Sequence, residues 1–265
     1  MPVDEHNIGK SENTPIKHAH FQRYMELQVN IVKGLFSRRV KWDTKPYLYF
    51  DLNAGNGGTI AQPGSPVLAI AALNAAQIPY HAVLMDIKRD NTDELIELFG
   101  YNPNVHIHNT CNRKVLTTYL YENPFIPNDQ LQWVYGCVFC DPNGPSGIRW
   151  DLLADFAAVY KRIDIVIHMA ATTYKRVRIV HHPRPLLSDQ LAKIGKGTTI
   201  VRKPNSKAGW TIIILSSWDR FPGYKKLGFH NANTEEGNAI LEELTYTVEE
   251  RDNQMILPGM EEWRS

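Results

Sequence analysis

Apolar positions along this chain recur in two periods, and the period changes from segment to segment. Near the start, Ile16, His20, Tyr24, Leu27, Ile31 and Leu35 follow one another at steps of three and four. That spacing places them on one side of a helix, predicted over residues 17–38 with a basic end at Lys33, Arg38 and Arg39. From residue 47 onward, short apolar runs alternate with helical patterns. Strands are predicted over 47–52, 80–87, 105–109, 132–141, 163–170 and 210–217, and helices over 65–77, 91–99, 112–121 and 149–161. Runs such as Trp210-Thr-Ile-Ile-Ile-Leu215 are nearly continuous in apolar residues. Such runs belong to strands buried on both faces, as in a parallel sheet covered by helices. The alternation implies right-handed βαβ units and an α/β, Rossmann-like sheet.

Residues 171–209 break this rhythm. They are rich in Lys, Arg, His, Pro and Gly, with one short helix predicted near 186–194. A further helix is predicted over 235–251, and residues 253–260 look like a tail. The expected organisation is a polar lead-in and helix over 1–45, a Rossmann-like domain over 46–218 and a C-terminal helix and tail over 219–265. Within the domain, 171–209 is expected to be a basic insert after the fifth strand.

The 265 residues suffice for one large domain with a substantial core. Hydrophobic content of 43% and charged content of 22% are those of an ordinary globular protein. A net charge of +1 gives no global polycation signal for nucleic acid, though a local basic surface is compatible with it. The first twenty residues are polar and lack the apolar core of a secretory signal, and no apolar run approaches the roughly 20 residues of a membrane helix. Three cysteines (Cys111, Cys137 and Cys140) are too few and odd in number for a disulfide framework. They fit a reducing, cytoplasmic setting.

The chemistry concentrates where the predicted strands end, which is where open parallel sheets bind ligands. The first strand runs into Asp51-Leu-Asn53-Ala54-Gly55-Asn-Gly57-Gly58. Glycines there let the backbone turn sharply and approach a ligand. The dinucleotide fingerprint G-x-G-x-x-G is not met, because Gln62 and Pro63 stand where its helix packs. The second strand ends in Asp86-Ile87, where an acidic residue is placed to accept hydrogen bonds from ribose hydroxyls. The third ends in His108-Asn109, with Asn109 placed to meet an adenine edge. The fourth ends in Cys140-Asp141-Pro142-Asn143-Gly144.

The D-x-x-x-G-x-G order is that of S-adenosylmethionine (SAM) dependent methyltransferases at the end of their first strand. The loop is followed by Gly64-Ser65-Pro66-Val67-Leu68-Ala69, and Ile16-Lys17-His18 opens the N-terminal helix with Tyr24 inside it. On these motifs the sequence resembles the three-Cys-motif partner (TcmP) family of methyltransferase-like proteins, over roughly residues 16–170. The resemblance implies that Asp51, Gly55 and Gly57 hold the amino-acid end of SAM, with Asn53, Ala54 and Ser65 as further cofactor-binding candidates. It implies that Asp86 meets the ribose and that Asp141 and Pro142 form the catalytic-loop pair; Ile87 and Asn109 are further cofactor-binding candidates, and Asn143 a catalytic candidate. Asn143 departs from the family, which often carries an aromatic residue there.

Amino-methyltransferases use an Asp/Asn-Pro-Pro-aromatic loop in which an oxygen accepts a hydrogen bond from the acceptor amine and the ring stacks on a base taken out of the duplex. Asp141 supplies the acceptor here. Trp150, Phe139 and Tyr174 are the substitutes for the missing ring. Cytosine-C5 chemistry would require a cysteine nucleophile, usually in a Pro-Cys pair, which does not occur. Cys137 and Cys140 should face opposite sides of a strand, because side chains alternate. No metal site is expected from them or from the paired histidines.

Lys175, Arg176, Arg178, Arg184, Arg202 and Lys203, interleaved with aromatics, fit phosphate contact and base stacking. Gln254-Met-Ile-Leu257-Pro-Gly259 resembles short peptides that dock on bacterial sliding clamps. The expectation is a cytoplasmic SAM-dependent methyltransferase acting on nucleic acid, DNA before RNA, at an exocyclic base amine such as adenine N6. The alternatives are a degenerate SAM-binding partner protein and an RNA or small-molecule methyltransferase.

Overall fold

The computed structural model describes residues 14–37, 45–142, 144–180, 186–204, 209–218, 224–247 and 250, with the backbone alone for 14, 176–180 and 227. Asn143, Arg184, the side chains of Arg176 and Arg178, and the 253–260 tail lie outside the described residues.

The chain opens with helix α1 (Thr14–Ser37) and strand β1 (Tyr47–Asp51), then alternates. α2 (Ser65–Ala76), β2 (Tyr80–Asp86), α3 (Arg89–Phe99), β3 (Val105–Asn109), α4 (Asn112–Tyr121), β4 (Gly136–Cys140), α5 (Trp150–Val159) and β5 (Ile163–Ala170) follow in order. Then come α6 (Ala171–Val180), α7 (Leu187–Ile194), β6 (Thr198–Arg202), β7 (Trp210–Ser216), β8 (Phe229–Asn231) and α8 (Glu235–Thr245). The strands form one sheet in the order β3-β2-β1-β4-β5-β7-β6-β8. β1 to β5 pair in parallel, whereas β7 runs antiparallel to β5, and β6 antiparallel to β7 and β8.

The stretch from 171 to 209 differs from its expectation. It contains two helices and strand β6, and β6 lies inside the sheet between β7 and β8. Thr198-Thr-Ile-Val-Arg202 is short and only partly apolar, so its alternation is weak; its place comes from pairing with β7. β8 is too short to show a period at all.

The sheet has period-two faces, and each face has its own core. Leu48, Phe50, Val83, Met85, Val138, Cys140, Ile165 and Ile167 point to one side, packing with residues of α4, α5, α7 and α8. Tyr47, Tyr49, Ala82, Leu84, Cys137, Phe139 and Val166 point to the other, packing with α1 and α2. Cys137 and Cys140 thus sit on opposite faces, both buried.

α1 is held in place by polar contacts as well as apolar ones. On β5, Asp164, Val166 and His168 share the face that α1 covers. On α1, Lys17, Phe21, Tyr24 and Gln28 share one side at steps of four, three and four. The Tyr24 hydroxyl donates to Asp164 at 3.1 Å, and the Gln28 amide donates to Asp164 at 2.9 Å and to the Gly136 carbonyl at 2.8 Å. The Tyr47 hydroxyl donates to the Gln28 amide oxygen. Phe21 lies on Phe139 with ring centroids 4.2 Å apart. These contacts fix the register of α1 along β5 and bring Lys17 to the carboxyl end of the sheet.

Candidate active site at the carboxyl edge of the sheet

The loop after β1 is set by its glycines and by Asp51. Gly55, Gly57 and Gly58 have φ of 60°, 81° and 79°, in the left-handed region. A Cβ on Gly57 would stand 2.7 Å from Leu98 Cδ1, and one on Gly58 would stand 2.3 Å from the Gln62 carbonyl oxygen. A Cβ on Gly55, by contrast, would meet nothing within 4 Å. The loop is therefore packed on the protein at Gly57 and Gly58 and open at Gly55.

Asp51 is 0% exposed. It accepts hydrogen bonds from Ser65 Oγ at 2.6 Å, Tyr49 Oη at 2.7 Å and the Asn53 backbone N–H at 3.2 Å. Burial pushes its carboxyl up to about 6 against these three bonds. Asp51 and Ser65 thus tie the end of β1 to the first turn of α2. This differs from the expectation that they face the ligand. Ala54, also buried, donates its N–H to the Met85 carbonyl at 2.9 Å and joins the loop to β2.

Asp86 is half-buried at the end of β2. It accepts from the Gly55 N–H at 3.0 Å and the Lys88 N–H at 2.8 Å, so the ribose-binding candidate also orients the open glycine. Asn109 donates to the carbonyls of Asp86 and Ile87 at 3.3 and 3.2 Å and buttresses that turn. Ile87 is 75% exposed beside it.

Asp141, after β4, is the centre of the site. One carboxylate oxygen is paired with Lys17 Nζ and the other lies 2.5 Å from His168 Nδ1. The three side chains are 15%, 17% and 12% exposed for Lys17, Asp141 and His168, so the contacts are shielded from water. Burial alone would raise the Asp141 carboxyl, but His168 and Lys17 outweigh it and hold it well below the usual carboxylate range. The Asp141 N–H donates to Asn53 Oδ1 at 3.2 Å, which links the β4 loop to the glycine loop. Pro142 packs on Gly147, where a Cβ would stand 2.6 Å from its own Cβ.

Several sequence expectations change at this point. Asp141 is not an open acceptor, because both oxygens are engaged. Phe139 and Tyr174 are buried in the cores and offer no platform for a base. Lys17 and His168 join Asp141 here although no sequence motif assigns either of them a role. His168 had a signal in the sequence: with Asp164 it is one of two polar residues on the same face of the apolar strand Ile163-Asp-Ile-Val-Ile-His-Met-Ala170. Arg202 and Lys203 lie at the end of β6, half-buried and exposed respectively. Lys175 lies one turn into α6, the helix leaving the ligand end of β5.

No family model matches the chain, and no curated protein matches it. The TcmP resemblance therefore stands on its motifs alone. Among solved structures, protein LPL1258 from Legionella pneumophila str. Philadelphia 1 superposes with a TM-score of 0.54 at 14% identity, over 83% of this chain and 90% of that one. A candidate methyltransferase from Thermobifida fusca YX gives 0.45 at 11% identity, over 76% and 81% of the two chains. The candidate methyltransferase yhhF from Escherichia coli gives 0.40 at 13%, over 72% and 86%. At such identities the likeness is one of fold. The class of fold is plain from the sheet itself: five parallel strands in the order 3-2-1-4-5, continued by an antiparallel seventh strand and the sixth, form a Rossmann-like methyltransferase sheet. No helix among the described residues is long and apolar enough to cross a membrane.

Proposed function

We propose that the protein is a SAM-dependent methyltransferase in which His168, oriented by Asp141, takes the proton of the methyl acceptor. The observation that carries this reading is the shielded Asp141–His168 pair at the ends of β4 and β5, beside an open glycine loop and the β2 acid. SAM, when bound, supplies an electrophilic methyl group on a sulfonium sulfur. The residues suit it: Gly55 leaves room on the open side of the loop, and Asp86 stands as the acceptor for ribose hydroxyls. The first turn of α2 brings the positive end of a helix to the same edge.

In the tautomer that donates Nδ1–H to Asp141, Nε2 of His168 carries the lone pair. It is positioned to accept a proton from an O–H or N–H nucleophile. Asp141 accepts from Nδ1–H and so holds that tautomer and the orientation of the ring. Lys17 neutralises Asp141 in turn and fixes its second oxygen. Methylation of an amine or hydroxyl needs a positioned nucleophile and a sink for its proton, and this constellation offers both.

The acceptor we infer is a nucleic-acid base amine, with adenine N6 of DNA as the leading case. Arg202, Lys203 and Lys175 at the ligand edge support it, as phosphate-binding groups. The burial of Phe139 and Tyr174 favours the second reading, a smaller acceptor that needs no stacking platform. Nucleoside mass spectrometry on DNA and RNA from an expression host lacking its own DNA methylation separates the two. A methylated base present with the wild-type protein and lost with His168→Ala establishes the nucleic-acid reading. Its absence from both pools, with SAM bound by the purified protein, moves the acceptor to small molecules.

A further inference from the structure

Four buried side-chain nitrogens without a hydrogen-bond partner among the described residues collect around one indole ring. They are Trp210 Nε1, Arg202 Nε, His20 Nδ1 and His168 Nε2. The His168 and His20 rings lie 5.4 and 6.2 Å from the Trp210 ring, and the Arg202 guanidinium carbon lies 5.5 Å from it. Trp210 itself is 4% exposed.

Four different elements contribute to this cluster. Trp210 opens β7 and Arg202 closes β6; because these strands are antiparallel to their neighbours, both residues fall at the carboxyl end of β5, where His168 stands. α1 delivers His20 one turn beyond Lys17. The cluster therefore continues the Asp141–His168 pair away from the glycine loop, on the side expected of a methyl acceptor.

Chemistry narrows what fits. The indole N–H and the guanidinium N–H are donors only, so they require an acceptor atom. His20 is neutral, since burial with Arg202 and Arg23 nearby brings it down to about 4. It can present either a donor or an acceptor. Arg202 forms no ion pair among the described residues, and burial is what lowers it, with no carboxylate offsetting the shift. Lys17 and Asp141 cancel one another. The cluster carries a surplus positive charge and unused donors, and buried groups of that kind are rarely left without partners.

We propose that Trp210, Arg202 and His20 form a subsite for an oxyanion carried by the methyl acceptor, a phosphate or a carboxylate, which places the acceptor's nucleophile against His168. The proposal rests on the methyltransferase reading for its second half, but the oxyanion subsite has its own readout. A phosphate would come from a nucleotide or nucleic-acid backbone, and a carboxylate from an acidic small molecule.

The test uses the full chain labelled with nitrogen-15 at tryptophan, in which the six indole N–H signals are resolved and that of Trp210 is assigned by its loss in Trp210→Phe. Inorganic phosphate and acetate are titrated separately at constant ionic strength against chloride. The Trp210 signal is expected to move saturably with one of the two anions, while that of Trp133, which is 48% exposed, stays in place. Movement with phosphate identifies a phosphoester acceptor, and movement with acetate a carboxylate. Arg202→Gln should weaken the responding anion about tenfold, the effect of one charge-assisted hydrogen bond. A Trp210 signal unmoved by both anions, or moved equally by chloride, overturns the subsite. SAM calorimetry on the same sample keeps the two readings apart. SAM binding without an anion response defeats the subsite alone, and an anion response without SAM binding defeats the methyltransferase reading alone.

Discussion

Nδ1 of His168 lies 2.5 Å from a carboxylate oxygen of Asp141, across 27 residues of sequence. The two stand at the ends of adjacent parallel strands, β4 and β5, whose register pairs Cys140 with Ile167. Each is the residue that follows one of those partners, so the sheet itself brings them side by side. Lys17 reaches the other oxygen from α1, 124 residues earlier in the chain.

If His168 accepts the acceptor's proton, His168→Ala should lower the methyl-transfer rate by about a hundredfold or more, the range for a lost general base. SAM affinity measured by calorimetry should remain within about twofold, since the role proposed for His168 is toward the methyl acceptor and not toward SAM. A variant that keeps the wild-type rate would remove His168 from the chemistry.

The double role proposed for Asp86, toward the ribose of SAM and toward Gly55, predicts a large binding effect. Asp86→Ala removes the ribose acceptor and frees the Gly55 N–H that it holds at 3.0 Å. SAM affinity should fall by about tenfold to a hundredfold, as expected for loss of a charged hydrogen-bonding group. Unchanged calorimetry would show that Asp86 serves the loop only.

The two loop glycines should separate binding from stability. Gly55→Ala places its methyl in open space and should cost about 1–2 kcal/mol for the left-handed backbone, while obstructing the ligand side. Gly57→Ala adds a collision with Leu98 at 2.7 Å to the same backbone cost, so it should destabilise more. Urea unfolding of the two variants measures the difference. Equal losses would mean that Leu98 yields without cost.

Stability should depend on Asp164 in a particular pH window. Burial raises its folded-state value from 3.8 to about 6 despite hydrogen bonds from Ser216, Tyr24 and Gln28. A carboxyl raised in the folded state binds its proton more tightly there than when unfolded. Its contribution is therefore full below about 4 and is lost as pH rises through about 6. The rise from 3.8 to about 6 corresponds to roughly 3 kcal/mol. Measured by urea unfolding, the stability of Asp164→Asn relative to wild type should improve between pH 4 and pH 7 by a value of that order. Asp141 acts in the opposite sense: held below 3.8, it stabilises above that value and ceases to do so on acidification.

If the methyl acceptor is a nucleic acid, the basic residues following β5 are expected to hold its phosphates. Arg176→Glu combined with Arg178→Glu should weaken retention of a DNA duplex in a gel shift and flatten its salt dependence by up to about two charges. An unchanged shift would return the segment to an ordinary solvated helix.

The elements whose side chains are sorted by one period were legible in the sequence. α1, with steps of three and four, was expected over 17–38 and spans Thr14–Ser37. β1, β2, β4 and β5 are largely apolar runs buried on both faces, whereas β3, at the sheet edge, alternates with histidines and is half-buried; the ends of all five lie at the carboxyl edge of the sheet. Asp51, the glycine loop, Asp86 and Asp141 followed from that rule, because a strand end is a sequence position.

What each of those residues faces was decided by the tertiary structure. Asp51 lies at the predicted place, yet Ser65 and Tyr49 turn its carboxylate inward, a result of how α2 packs on β1. β6 shows little pattern of its own and becomes a strand through pairing with β7, since sheet hydrogen bonds join residues that no local window contains. The Lys17–Asp141–His168 constellation is of the same kind. The sequence supplied a basic residue at a helix start, an acid at a strand end and a lone histidine in an apolar strand. Their meeting required the register of α1 on β5, fixed by Tyr24 and Gln28 on buried Asp164, and the parallel pairing of β4 with β5. Local periodicity determines which face a side chain takes; only the packing of distant segments determines which side chains share it.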